Sequence, residues 1–194
     1  MRPFPTQGRL PTIGRVRGKG AGCGWYNQHM AILRADALEF ISRSAEQTRR
    51  LGMRLGAWLQ PGDVLALEGD LGGGKTTFVQ GLAAGWGTTA RVSSPTFVLV
   101  NVYQRDDGAS LYHMDAYRLS GPQEAWDLDI AAMWEEGPLV VEWADIIAEA
   151  LPAERVTIRF KWLTETQRVL TFHPEGQRPR DLIRRLRAAI VRGV

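Results

Sequence analysis

A three-layer α/β domain, with a mixed sheet flanked by helices, is the architecture expected of this chain, and three observations carry that expectation. Two short unbroken apolar runs, Val64-Leu65-Ala66-Leu67 and Leu139-Val140-Val141, have the length and composition of strands buried on both faces of a mainly parallel sheet. The first runs through a glycine-rich turn, residues 69–74, directly into helix formers, which gives strand, turn and helix in close succession. Residues 156–160 and 168–172 alternate between apolar and polar and read as a hairpin that adds antiparallel strands. At 194 residues, 44% of them hydrophobic, the chain is long enough for a single domain with a proper core.

Taken in order, residues 1–29 are rich in Pro and Gly, lack apolar periodicity, and carry Arg2, Arg9, Arg15, Arg17 and Lys19 with no acid. They read as a disordered basic extension: an arm that touches RNA, a dispensable tail, or the product of an upstream start with Met30 as the working one. Residues 32–40 supply a short first strand. Ser42 or Ser44 then caps a helix in which Ala45, Thr48, Leu51, Leu55, Trp58 and Leu59 recur at helical spacing, ended by Pro61-Gly62. After the strand at 64–67, the helix opening at Lys75 continues through Phe78, Val79 and Leu82 to a Gly85-Trp86-Gly87 stop. A polar turn, 92–97, leads into an antiparallel pair at 98–103 and 110–115, joined at Asp106-Asp107-Gly108 and expected in the middle of the sheet. Gly121-Pro122 opens a short helix at 124–128 with Trp126 turned inward. Residues 139–142 form the second buried strand, and 144–151 a helix stopped by Pro152. Residues 181–191 form an amphipathic helix, with Leu182, Ile183, Leu186 and Ile190 on one side and Arg184, Arg185 and Arg187 on the other.

The glycine-rich turn carries the chemistry. Gly69, Gly74, Lys75 and Thr76 satisfy G-x-x-x-x-G-K-[ST] between a strand and a helix, which makes the expected fold P-loop NTPase-like. Glycines let successive N–H groups curl around a phosphate, and the helix N-terminus adds its positive dipole end. The expected nucleotide cradle is Gly69, Asp70, Leu71, Gly72, Gly73, Gly74, Lys75, Thr76 and Thr77, with Lys75 on the β- and γ-phosphates and the Thr76 hydroxyl on magnesium. Hydrolysis also needs an acid for the metal shell and the attacking water. Asp115 and Glu142 each stand at the carboxyl end of a strand, where ligands of open α/β sheets gather. Either can be the Walker-B type acid. Asp115 is placed in the magnesium shell through water and Glu142 beside the γ-phosphate, contacting metal or water, with the swap left open. The expected catalytic set is therefore Lys75, Glu142 and Asp115, and the metal set Thr76, Glu142 and Asp115.

Thr96 either offers a hydroxyl that follows the γ-phosphate or metal as a switch or is a plain turn residue. Trp143 covers the nucleotide or packs in the core, and His113 is read as packed or hydrogen-bonded rather than catalytic. Arg118 supplies positive charge to the transition state or pairs with a surface acid. Ser44, Thr48 and the turn 166–168 are candidates to grip adenine. Guanine readers carry Asn-Lys-x-Asp; the lysines here are Lys19, Lys75 and Lys161, none in that setting, so ATP is favoured over GTP.

Charge and cysteine usage bound the rest. The formal charge is +3, but residues 1–29 contribute +5 and residues 178–194, six arginines against Asp181, another +5, which leaves 30–177 at −7. Cys23 is the only cysteine, so there is no intrachain disulfide and no cysteine metal cluster, as suits a reducing cytosol. No apolar run approaches the ~20 residues of a membrane span, and the N-terminal stretch, broken by Pro3, Pro5 and Pro11, has no secretory core. A cytoplasmic protein without membrane attachment is expected.

Four stretches, Gly69-Asp70-Leu71-Gly72-Gly73-Gly74-Lys75-Thr76-Thr77-Phe78, Ser94-Pro95-Thr96-Phe97, His113-Met114-Asp115-Ala116-Tyr117-Arg118-Leu119 and Val141-Glu142-Trp143, stand in the order found in the TsaE (YjeE) family, which the chain resembles over about residues 38–172. That family comprises small bacterial P-loop ATPases needed to make threonylcarbamoyladenosine beside the anticodon of tRNA. The resemblance implies that Lys75 and Thr76 bind phosphate and magnesium, that Asp115 and Glu142 are active-site acids, that Thr96 lies in a switch-like loop, and that Trp143 is the aromatic beside the acid. It implies as partners TsaD, which performs the transfer, and TsaB; ATP hydrolysis resets their complex, and tRNA is met only through it. An acidic body, a poor surface for tRNA by itself, fits that arrangement. Gly73 departs from the alanine usual in the family. Composition and charge divide the chain into the extension 1–29, a P-loop ATPase domain over 30–177 and a basic amphipathic helix over 178–194; the extension and the arginine-rich end lie outside the resemblance, which implies nothing about their role. A small-metabolite P-loop kinase and an ATP-gated binding module with negligible turnover are the competing readings.

Overall fold

The computed structural model describes residues 36–192. The expected extension, Cys23 and the start of the expected first strand lie outside them. Seven strands form one sheet. Its centre is β2 (Val64–Gly69), flanked by two parallel neighbours, β5 (Leu139–Glu142) on one side and β6 (Arg155–Trp162) on the other. Beyond β5, β4 (Ser110–Asp115) is also parallel, and β3 (Val100–Gln104) closes that edge antiparallel to it. Beyond β6 come β7 (Arg168–Glu175) and β1 (Leu38–Ser42), each antiparallel to its neighbour.

The unbroken apolar run of β2 has a direct explanation in this arrangement. Successive side chains of a strand face opposite ways, so Leu65 and Leu67 enter one core and Val64 and Ala66 the other. On the first face lie α1 (Ala45–Gly56), α2 (Lys75–Trp86) and α5 (Gln177–Val191), with Leu55, Phe78, Leu82 and Leu186 fully buried. The second face is covered by α3 (Pro122–Asp127), α4 (Ile130–Glu136) and two 3-10 segments, Ala116–Arg118 and Ala144–Ala150, around Met114, Ile130 and Ile147. This is the three-layer arrangement with a mixed sheet expected from sequence.

Four glycines bring α1 and α2 together backbone to backbone. A Cβ added to Gly52 would stand 2.3 Å from the Phe78 carbonyl oxygen, and one on Gly56 2.1 Å from that of Leu82. From the other helix, Gly81 and Gly85 approach the carbonyls of Arg49 and Met53 at 1.9 Å by the same measure. The contact fixes α2, whose first residue is Lys75.

Several local expectations need correction. The antiparallel pair lies at a sheet edge rather than in the middle, because β3 leaves Val102 and Gln104 exposed and so cannot be covered on both faces. Gly85 is inside α2 rather than part of its stop, since its missing side chain is needed against α1. The helix ends at Gly87, whose left-handed backbone (φ 103°) lets its N–H reach the Ala83 and Ala84 carbonyls. Trp126 is 49% exposed, and Ala125 takes the inner position of α3. Residues 144–150 form 3-10 turns broken at Ile147 instead of a regular helix, and α4 was not anticipated. Of the two candidate caps, Ser44 receives the Gln47 N–H of α1. Among the described residues, no helix is long and apolar enough to cross a membrane.

Candidate functional site

The loop between β2 and α2 is shaped by two constraints. Gly69 (φ +123°) passes so close to β6 that a Cβ there would meet the Phe160 carbonyl oxygen at 2.3 Å, and Gly74 (φ +100°) turns the chain in the left-handed region into α2. No side chain caps the α2 N-terminus, so its leading N–H groups face the loop interior. The Lys75 side chain folds back across the loop, and its ammonium donates to the carbonyls of Gly69 (2.5 Å) and Asp70 (2.9 Å). It also lies 3.8 Å from the centroid of the Trp143 ring. Burial lowers the Lys75 pKa from its ordinary 10.5, and Glu142, Asp115, Asp145 and Asp70 pull against that shift without overcoming it.

The two acids stand side by side. Parallel pairing of β4 and β5 sets Asp115 opposite Glu142, and pairing of β5 with β2 sets Glu142 opposite Leu67, just before the loop. Their contacts differ. Glu142, 3% exposed, accepts the Thr76 hydroxyl on both carboxylate oxygens, at 2.9 and 3.1 Å. Behind it, fully buried His113 places Nε2 at 3.0 Å from Glu142 Oε1 and Nδ1 at 3.4 Å from the Tyr103 hydroxyl. A carboxylate only accepts, so Nε2 carries the proton of that bond. Asp115 instead receives the hydroxyls of Ser94 (2.9 Å) and Thr96 (2.6 Å) on Oδ2 and the Tyr117 N–H (3.0 Å) on Oδ1. It therefore ties the Ser-Pro-Thr turn to the end of β4.

Trp143, directly after β5, lies in the left-handed region (φ 58°, ψ 40°), a costly conformation for a bulky residue. That turn swings its indole over Lys75 and against Tyr117, with ring centroids 5.1 Å apart. Residues 71–77, Ser94, Thr96, Asp115, Tyr117, Glu142 and Trp143 line one cavity of about 370 Å³. It brings together all the expected site residues except Gly69 and Asp70, whose carbonyls hold Lys75 from below. Sequence reasoning missed Ser94 and Tyr117 as lining residues, and the Tyr103–His113 chain behind Glu142. The alternation of β4 alone does not say which strand-end group a buried histidine meets.

The donor set suits a hard cation. Thr76 Oγ1 and two carboxylates offer oxygen only, and magnesium is commonly held by one or two carboxylates together with phosphate oxygens and water. Among the described residues no group of three or more His, Cys, Asp or Glu side chains converges into a metal cage, which is not the kind of site that ion requires. Two adenine candidates fall away: the Thr48 hydroxyl is buried and bonded to Ser42 Oγ (2.8 Å) and the Ser44 carbonyl (3.2 Å), while Ser44 caps α1. Arg118 lies over the Phe97 ring, 5.1 Å from its centroid.

Comparison with known proteins gives concordant results. A family model described as threonylcarbamoyl adenosine biosynthesis protein TsaE matches residues 42–170. The chain is 43% identical over 141 residues to the tRNA threonylcarbamoyladenosine biosynthesis protein TsaE of Bacillus subtilis, covering 73% of this chain and 88% of that protein. It is 40% identical over 132 residues to the protein of the same name from Treponema pallidum, covering 68% and 96% respectively. Among solved structures, Bacillus subtilis YdiB superposes with a TM-score of 0.66 at 38% identity, over 79% of this chain and 95% of that one.

Proposed function

The chain belongs to the TsaE family of threonylcarbamoyl adenosine biosynthesis proteins, and from that premise we propose that it is a magnesium-dependent ATPase serving as an accessory factor in threonylcarbamoyladenosine modification of tRNA. The observation that carries the reading is the pair of hydrogen bonds from Thr76 to Glu142 at the mouth of the glycine loop. A hydroxyl at the start of the phosphate-binding helix and a strand-end carboxylate in contact are the two groups that would share a magnesium ion.

Within this reading Lys75 leaves the carbonyls of Gly69 and Asp70 to lie against the β- and γ-phosphates, while the loop N–H groups surround the β-phosphate. Thr76 and Glu142 would hold magnesium, which when bound would neutralise charge on the phosphates. The spare capacity of Glu142 orients the attacking water, and His113 fixes the rotamer of that carboxylate. Asp115 acts from the next strand through Thr96, so that the Ser-Pro-Thr turn senses whether a γ-phosphate is present. Around the cavity mouth Leu71, Phe97, Val98 and Tyr117 are exposed, Phe97 to 84%. These side chains are the proposed docking ring for a TsaB–TsaD pair, which hydrolysis would reset between turnovers.

The test is hydrolysis of Mg-ATP by the full chain, alone and with the TsaB–TsaD pair, for the parent and for Glu142→Gln, with ATP affinity measured in parallel. Turnover stimulated by the pair, lost at least a hundredfold in the variant while ATP binding persists, is the expected result. Phosphate transfer to a small acceptor without response to the pair would move the protein to the kinase class.

A further inference from the structure

We infer that the end of the β6–β7 hairpin, Trp162 with Arg168, is the platform on which the nucleotide base stacks. The inference rests on the ATPase reading and adds to it the part of the site that grips the nucleoside.

The argument begins with topology. Both acids lie on one flank of β2, on β5 and β4, so the γ-phosphate end of a bound nucleotide faces that flank. The nucleoside then leaves the loop on the opposite flank, where the neighbour is β6. Beside the loop β6 ends in Trp162, and Arg168 at the start of β7 is its directly paired residue. Residues opposite one another in an antiparallel pair put their side chains on the same face, within reach of each other.

Both side chains lean on the phosphate loop. A Cβ on Gly72 would stand 3.1 Å from Trp162 Cζ2, and one on Gly73 3.8 Å from its Nε1. A Cβ on Gly74 would meet Arg168 Nη1 at 2.7 Å. The indole nevertheless remains 45% exposed, a large aromatic surface left uncovered beside three consecutive glycines. Arg168 makes no ion pair among the described residues, whereas Arg159, on the same hairpin, is paired with Glu68 at 2.8 Å. A half-exposed indole with a guanidinium at the directly paired position, free of ion pairs among the described residues, is what a base stacks on, by π-stacking and cation–π attraction.

The experiment measures affinity of the full chain for Mg-ATP and for magnesium tripolyphosphate, in the parent and in Trp162→Ala, Trp162→Phe and Arg168→Ala, with thermal melting as the folding control. Trp162→Ala should weaken Mg-ATP on the order of tenfold and leave tripolyphosphate within twofold, with Trp162→Phe retaining most of the affinity. Arg168→Ala should weaken ATP by a few-fold, again sparing tripolyphosphate. If the parent binds both ligands equally well, or Trp162→Ala loses neither or both in proportion, the platform is overturned while the phosphate-loop reading stands. If the parent binds neither ligand, the ATPase reading fails and takes the platform with it.

Discussion

Lys75 is a buried cation held by carbonyl oxygens and an indole face, with carboxylates nearby but none of those of the described residues in an ion pair with it. Its pKa is lowered because desolvation outweighs those carboxylates. Below its lowered value the folded protein carries a charge that the unfolded chain accommodates more cheaply in water. Between that value and 10.5 the unfolded chain binds more protons, so stability of the parent rises with pH across this window. Lys75→Met removes the charge at similar length. The variant should melt no lower than the parent at pH 7 and should lose any advantage as pH approaches 10.5, while Mg-ATP hydrolysis disappears. A drop of several degrees in its melting temperature at pH 7 would show that the ammonium contributes net stability through its carbonyl and ring contacts, against this account.

At the scale of elements, the α1–α2 crossing brings backbone against backbone and bears directly on the site, since α2 starts at Lys75. Gly81→Ala would set a methyl group 1.9 Å from the Arg49 carbonyl oxygen, a separation that only movement of a helix can relieve. Overpacking of this kind costs roughly 1–3 kcal/mol and sometimes more. The expected loss is about 3 kcal/mol in urea denaturation, with weaker ATP binding as α2 shifts; Ala84→Gly, at an exposed position of the same helix, should cost only about 1 kcal/mol through propensity. Equal effects would place the sensitivity in helix propensity rather than in the crossing. The paired glycines four residues apart, Gly52 with Gly56 and Gly81 with Gly85, are visible in the sequence, but their meaning depends on which helix lies opposite. Strand–loop–helix order was legible because apolar run length and turn chemistry are local properties. The edge position of β3, the turned-out Trp126 and α4 were not, because each is decided by what covers it. For the site, motif spacing pointed to Lys75 and Thr76, and position at a strand end to Asp115 and Glu142, four residues that the fold brings to one cavity. Which acid meets Thr76 depends on the register of three strands brought together from separate parts of the chain.

For the whole molecule, the charge asymmetry acquires a structural role. The arginines of α5 are largely engaged within the fold: Arg180 with Asp36, Arg187 with the Ala37 carbonyl, Arg185 over Trp58 and Arg184 with Asp181. The most consequential is Arg178, which donates Nε to Asp63 Oδ1 (2.9 Å) and Nη2 to Asp63 Oδ2 (2.8 Å) and to the Trp58 carbonyl (2.7 Å). Asp63, 4% exposed, precedes β2 at the end of the strand away from the phosphate loop. The Asp63–Arg178 clamp joins parts of the chain 115 residues apart and fastens α5 to the central strand. Arg178→Met would leave Asp63 buried with, among the described residues, only the Gln60 N–H as a partner. Removing one member of a fully buried pair costs about 3–5 kcal/mol; Arg178 is about one-third exposed, so the expected loss is nearer 2 kcal/mol. Because the clamp and the cavity are at opposite ends of β2, affinity for Mg-ATP should be unchanged in conditions where the variant stays folded. A shifted urea midpoint with unchanged affinity would establish that α5 secures the domain without shaping the site. A fall in affinity at full folding would mean that β2 transmits strain from one end to the other, and would make the clamp part of the functional architecture.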